Sequence, residues 1–391
     1  MIDLISNSSV EEVKSSRSHK RRALFYNQYL STAGGGERLC FEIALALESV
    51  GYEISFVVSG DESVDLDRLC KAFGMTPLGS WSFLNVPTPG DIGKLCREGN
   101  FDIFINNTFE SYIENTAPLG FYVVMFPQQL CSSQNERIAT YHILYCISNF
   151  TKLYTLRRWS GIGPKVKVAV PSISDIHLLQ PKIEFSEKEK LILCIGRFNV
   201  RGHSKCQLEA IKSFVKFQGQ GLLDQSWRLV IAGRVNEGAD NLRYLGECLQ
   251  ASSKNVTIFE GLPIEDLIEL YRKASVLWQF TGYGKDFGID PEYCEHLGLV
   301  ALDCFAYGTI PIVYQRGGMP YIIDHGINGY CFADEKELGE IMNIFSKNFG
   351  NEFHEFQFQN SKLTASSFTF EKFAEKITEF IKVEQQSIAS L

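Results

Sequence analysis

Two successive runs of alternating strand-like and helix-like segments set the tightest limit on how this chain can fold. In the first, ALFYNQYL is followed by a glycine run and by the helical pattern ERLCFEIALALESV, which Gly51 stops. ISFVVSG, FDIFINN, FYVVMFP and HILYCISN read as further short strands. TKLYTLRRWSG reads as a helix capped by Asn149 or Thr151 and stopped by Gly161, and KVKVAVPSI closes this half. After a charged bridge at 184–190 the pattern restarts. LILCIGRF, WRLVIAG, VTIFEG, VLWQF, TIPIVY and GYCF are strands; CQLEAIKSFVKF, DNLRYLGECLQASS, IEDLIELYRKA and a terminal stretch are helices. Two βα arrays of similar size predict an α/β fold of two doubly wound, Rossmann-like domains with parallel sheets. Ligands of such domains sit beyond the carboxyl ends of the strands. A length of 391 residues is comfortable for two cores. The expected division is a flexible arm over 1–20, a first domain over 21–180, a second over 188–366, and a closing helical segment over 367–391.

The composition, 45% hydrophobic and 21% charged, is that of an ordinary globular protein. The longest apolar stretches, such as Phe121 to Phe126, fall far short of the ~20 residues that a spanning helix needs. The opening MIDLISNSSVEEVK has no apolar core of a secretory signal, so a cytoplasmic location is expected. The eleven cysteines are scattered without a C-x-x-C pair and read as small buried hydrophobes, and the seven histidines show no ligand spacing, so no metal site is expected. A net charge of −8 argues against a nucleic-acid partner. Lys14, Arg17, Lys20, Arg21 and Arg22 form a local basic cluster, read as a solvated arm; its functional alternative is a weak contact with an anionic membrane surface.

Three segments carry chemistry. In the stretch 278–329, Glu295 stands just before Gly298, and Asp303 follows Glu295 with seven residues between. A carboxylate, a glycine and a helix start put exposed N–H groups, here those of Leu299 and Val300, beside an acid. Such a pocket can hold a phosphate on the helix terminus and sugar hydroxyls on the carboxylates. In GRFNVRGHSKCQLEAI, Arg197 follows a strand-end glycine and Lys205 stands near the next helix start, two cations suited to a diphosphate. Arg201 is the alternative to Lys205. The third segment, Ala33-Gly34-Gly35-Gly36-Glu37-Arg38, lacks the G-x-G-x-x-G spacing, yet its side-chain-free loop at a helix start lets a phosphate or sugar approach closely.

Together these segments resemble the family 4 retaining glycosyltransferases, which have the GT-B fold. The likeness runs from Arg22 onward, firm in the second half and loose in the first. Glu295 to Asp303 stands where that family has Glu-x7-Glu, and the 196–207 segment is similar to its G-R-F…G-H-x-K-x-Q run. His296 matches the histidine of its E-H-F-G run and is read as a positioning residue, so no general base is named. The glycine loop resembles the G-G-G-E-R form of mannosyltransferases that extend lipid-linked oligosaccharides. Met125 and Gln279 depart from the family, which has histidines there.

The resemblance implies transfer of a hexose from a UDP- or GDP-sugar to a glycan, lipid or protein acceptor, at the inner membrane face or free in the cytoplasm. It implies no cofactor and no metal. Arg197, Lys205 and the N–H groups after Gly298 would hold the diphosphate, Glu295 the sugar hydroxyls and Asp303 the ribose. Gly35 and Gly36 would border the donor, and the last helix would return to the first domain. The alternatives are a weakened protein of the same shape acting as partner subunit of another transferase, and a sugar-nucleotide epimerase.

Overall fold

The computed structural model describes residues 20–59, 64–200, 202–286 and 288–390. Lys14 and Arg17 of the basic cluster, most of the proposed arm, and Arg201 lie outside the described residues.

The chain forms two parallel sheets. The first holds β1 (Arg21–Tyr26), β2 (Tyr52–Ser59), β3 (Ser82–Val86), β4 (Ile103–Asn106), β5 (Leu119–Val124), β6 (Ile143–Cys146) and β7 (Val166–Val168), in the order β3-β2-β1-β4-β5-β6-β7. The second holds β8 (Glu189–Ile195), β9 (Arg228–Gly233), β10 (Val256–Glu260), β11 (Ala274–Gln279), β12 (Ile310–Tyr314) and β13 (Tyr330–Phe332), in the order β10-β9-β8-β11-β12-β13. Strand side chains alternate between faces, and both faces are covered, so whole strands read as apolar. In β1, Ala23 and Phe25 enter one core cluster while Leu24 and Tyr26 enter another; in β8, Ile192 and Cys194 separate from Leu191 and Leu193 in the same way. Each domain thus carries two hydrophobic layers around one sheet.

Strand order reverses between β1 and β4, and between β8 and β11. At such switch points neighbouring connections leave in opposite directions and open a crevice at the strands' carboxyl ends. The glycine loop follows β1 and Gly196-Arg197 follows β8, so both motifs stand at crevices.

The closing helix, Phe370–Ala389, lays Phe373, Ile377 and Ile381 into the first domain's core, where Phe373 meets Tyr145 edge-on. The chain therefore crosses between domains twice. The crossings are tied where Ile173 N donates to Phe368 O at 2.8 Å. Lys188 of the bridge is buried, with Nζ donating to the carbonyls of Tyr271 and Ala274 and to Thr309 Oγ1.

Three local expectations change. The edge strand β3, SFLNV, with only its last residue buried, stands outside the strands read from the sequence. The helix Asn149–Arg158 is capped by Ser148, whose hydroxyl accepts from Thr151 N, rather than by Asn149 or Thr151. Arg21 and Arg22 belong to β1, and their guanidinium groups lie over the Tyr52 and Phe101 rings, so they are not part of a frayed arm.

Candidate functional site

The site forms where the second sheet's switch point faces the first domain. Gly196 ends β8 at a point where the backbone of β9 passes so closely that a Cβ on Gly233 would lie 1.9 Å from Gly196 O. The stem of Lys205 packs over Gly196, whose own Cβ would fall 2.4 Å from Lys205 Cγ. Gln207 Nε2 donates to the carbonyls of Gly196 and Arg197 at 2.9 and 3.1 Å, which pins the turn. The two cations named from the sequence thus flank one glycine. Arg197 is exposed, and among the described residues its guanidinium has no partner.

Lys205 Nζ lies 2.5 Å from Glu295 Oε2. The same oxygen accepts from Gln279 Nε2 and Thr281 Oγ1, both at 3.2 Å, at the carboxyl end of β11. Burial pushes the Glu295 carboxyl up, but Lys205 and His203 pull harder and hold it at about 2. Glu295 is therefore a carboxylate at any physiological pH. Its backbone is fixed by the Gly317-Gly318 turn: Gly318 N donates to Glu295 O at 2.8 Å, and a Cβ on Gly317 would fall 2.3 Å from that oxygen. A cavity of about 10 Å³ bounded by Ile195, Lys205, Gln279, Thr281 and Val300 adjoins the pair.

Gly298 caps the short helix Leu299–Asp303 with φ +100°, a conformation that glycine alone adopts without strain. A Cβ there would also strike Gln279 Nε2 at 2.7 Å. Its carbonyl accepts from Ala301 N and Leu302 N. The N–H groups of Leu299 and Val300 lie in the helix's first turn, which has no intrahelical acceptors. Across the crevice, Gly35 opens the helix Gly35–Ser49 so close to Leu299 that a Cβ would fall 2.9 Å from Leu299 Cδ1. Gly36 packs against Met125 Cε in the same manner, and its carbonyl accepts from Asn107 Nδ2 at 2.9 Å.

Asp303, expected at a ribose, is buried and engaged: both its oxygens accept from Arg38 Nη1, at 3.1 and 2.9 Å. Arg38 Nε binds Glu42 Oε1 at 3.1 Å, and Nη2 binds Ser172 O. His177 Nε2 stands 3.6 Å from Asp303 Oδ2, with Nδ1 2.7 Å from Tyr307 Oη. Residues of the first domain, Ser172 and His177 near its end among them, meet Asp303 and Tyr307 of the second in this one charged cluster. Aspartate is one methylene shorter than the family's glutamate, and its carboxylate is satisfied from the first domain.

Sequence reasoning also passed over a layer of rings between the domains. His203 Nε2 binds Cys294 O, and its ring lies 4.4 Å from that of His296. His296 stacks at 4.5 Å on Phe126 of the first domain, while Ser148 Oγ donates to His296 O at 2.6 Å. Burial lowers both imidazoles, against the pull of Glu295. Arg158 lies over the other ring neighbour, Phe126, and pairs with Glu292 at 3.0 Å. Apart from Arg158 over Phe126, these contacts join residues 91 or more positions apart and leave no periodic signal. Among the described residues no group of three or more His, Cys, Asp or Glu is placed to hold a metal, and no helix is long and apolar enough to cross a membrane.

Residues 175–354 match the glycosyl transferases group 1 family. An uncharacterized glycosyltransferase of Methanocaldococcus jannaschii is 30% identical over 178 residues, 42% of this chain and 40% of that one. The matched part therefore spans less than half of that relative. The whole fold is similar to a glycosyltransferase of Rickettsia africae, with TM-score 0.70 and 14% identity over 94% of this chain and 99% of that one. It is likewise similar to Anabaena HepE, solved in complex with UDP-glucose, with TM-score 0.68 and 14% identity over 93% of this chain and 99% of that one. The chain thus has the two-domain GT-B fold, and residues 175–354 within it match the model of the glycosyl transferases group 1 family.

Proposed function

We propose that this protein is a retaining, metal-independent glycosyltransferase that takes a hexose from a nucleotide sugar, with UDP-glucose as the leading donor. The observation that carries this reading is the Lys205–Glu295 pair. It stands at the carboxyl ends of β8 and β11 near Arg197, whose guanidinium has no partner among the described residues, with Leu299 of the adjoining helix packed against Gly35 of the glycine loop. The UDP-glucose complex of the similar Anabaena protein supports the choice of donor.

Arg197 and Lys205, with the Leu299 and Val300 N–H groups, neutralise the donor diphosphate, which makes it a better leaving group and leaves no charge for a metal to balance. Glu295 and Gln279 hold hydroxyls of the hexose. The acceptor oxygen attacks the anomeric carbon from the face that the nucleotide leaves. As the bond from that carbon to the phosphate oxygen breaks, the acceptor's proton passes to that oxygen, and configuration is retained. No protein base is required, so catalysis rests on positioning and charge stabilisation. The rival reading, a weakened partner subunit, draws on the engagement of Asp303 by Arg38.

Donor turnover in chelator tests this directly. With UDP-glucose as donor, water or a saccharide as acceptor and EDTA present, release of UDP should persist. Arg197→Ala and Lys205→Ala should each lower the rate by ~10²–10³. UDP release that requires added magnesium or manganese, or that survives both substitutions, removes the proposal.

A further inference from the structure

An open cavity of about 440 Å³ is lined mostly by the first domain, by Glu110, Tyr112, Gln128, Gln129 and Gln134, together with the Arg158–Glu292 pair. Its size falls within the range of small-molecule sites. From Arg158 at its edge a run of three rings in series, Phe126, His296 and His203, with neighbouring centroids 4.5 and 4.4 Å apart, leads towards the residues around Glu295. We infer that this cavity binds a neutral sugar unit of the acceptor, a reading that rests on the transferase function proposed above.

The charge of the lining decides the class of ligand. Arg158 is its only cation, and it is spent: Nη2 on Glu292 at 3.0 Å, Nη1 on Pro127 O at 2.8 Å, and its face over the Phe126 ring. Glu110 and Glu292 against that one guanidinium leave the lining net negative. A phosphorylated or carboxylated acceptor would meet repulsion and no free donor cation.

The rest of the lining suits hydroxyls. Among the described residues the side chains of Glu110, Gln128 and Gln129 have no hydrogen-bond partner, and Gln134 uses only Oε1, which accepts from Cys131 N. Each amide offers donor and acceptor together, and a carboxylate accepts from two neighbouring hydroxyls, so adjacent sugar hydroxyls are matched in either sense. The half-buried Tyr112 ring supplies an apolar surface for the C–H face of a pyranose. Glu110 is held at φ +56°, a left-handed conformation that is strained for a non-glycine residue and that concentrates at binding sites. Because that run of rings intervenes, the cavity holds a sugar unit of the acceptor other than the one that carries the reacting hydroxyl. That makes the acceptor a glycan.

The test is an NMR titration of the full chain with maltose and lactose, against glucose 6-phosphate and glucuronate, with UDP affinity measured on the same samples. A neutral disaccharide should bind at least about tenfold more tightly than either anion, and Gln128→Ala/Gln129→Ala and Tyr112→Ala should each weaken it by about tenfold. Gln129→Lys should narrow the gap in favour of glucose 6-phosphate. The inference is overturned if the anions bind as tightly, if neither disaccharide binds by about 50 mM, or if all three variants, folded by circular dichroism, bind like wild type. Saccharide binding that disappears in the variants while UDP fails to bind would sink the transferase reading and leave the sugar site supported.

Discussion

Removing Arg38 should destabilise this protein more than removing Asp303, although the two form one ion pair. Arg38 Nη1 holds both oxygens of Asp303, Nε holds Glu42 and Nη2 holds the Ser172 carbonyl, and all three charged groups are buried. In Asp303→Asn the guanidinium keeps Glu42 and Ser172, so a paired cation remains. In Arg38→Met two carboxylates stay buried with no cation between them. Glu42 retains only the Ser172 N–H, and burial already pushes its carboxyl up to about 7. Breaking a buried pair costs about 3–5 kcal/mol when the survivor is uncompensated. Arg38→Met should therefore lose about 4 kcal/mol and Asp303→Asn about 2 kcal/mol, the size of one hydrogen bond to a charged group. Urea unfolding followed by tryptophan fluorescence measures both, with the double variant closing the cycle. A loss below about 1 kcal/mol in Arg38→Met, or a larger loss in Asp303→Asn, refutes the reasoning. UDP titration of Asp303→Asn separates a second role: a ribose contact would add about a tenfold or greater fall in affinity, and a purely structural cluster would not.

Two further outcomes follow from the site. Glu295 has its carboxyl depressed from 4.5 to about 2 in the fold, so its stabilisation is complete above the unfolded value and is lost as pH falls from about 4.5 towards 2. Between pH 6 and 2.5 the wild type should lose about 2–3 kcal/mol more than Glu295→Gln in denaturant titrations, and parallel losses in the two proteins would contradict the assignment. Gly233→Ala, whose Cβ would sit 1.9 Å from the Gly196 carbonyl, should lower stability by more than about 2 kcal/mol, whereas Gly246→Ala, in a helix with nothing within 4 Å, should raise it by up to about 1 kcal/mol. Thermal unfolding that ranks them the other way refutes the steric argument.

The architecture was legible in the sequence because hydrophobic periodicity is local. Twelve of the thirteen strands were readable; β3, an edge strand whose longest apolar run is Phe83-Leu84, was not. The positions around the second sheet's switch point were legible for a related reason. Gly196, Arg197, Lys205, Glu295 and Gly298 stand at strand ends and helix starts, where backbone geometry demands particular residue types at short spacings. What only the tertiary structure decided is how those positions are partnered. That Lys205 meets Glu295, that Arg38 takes Asp303, and that Phe126 stacks on His296 depend on the packing of two domains connected by two crossings. A side chain's reach of a few ångströms is set by that packing, and no spacing along the chain records it.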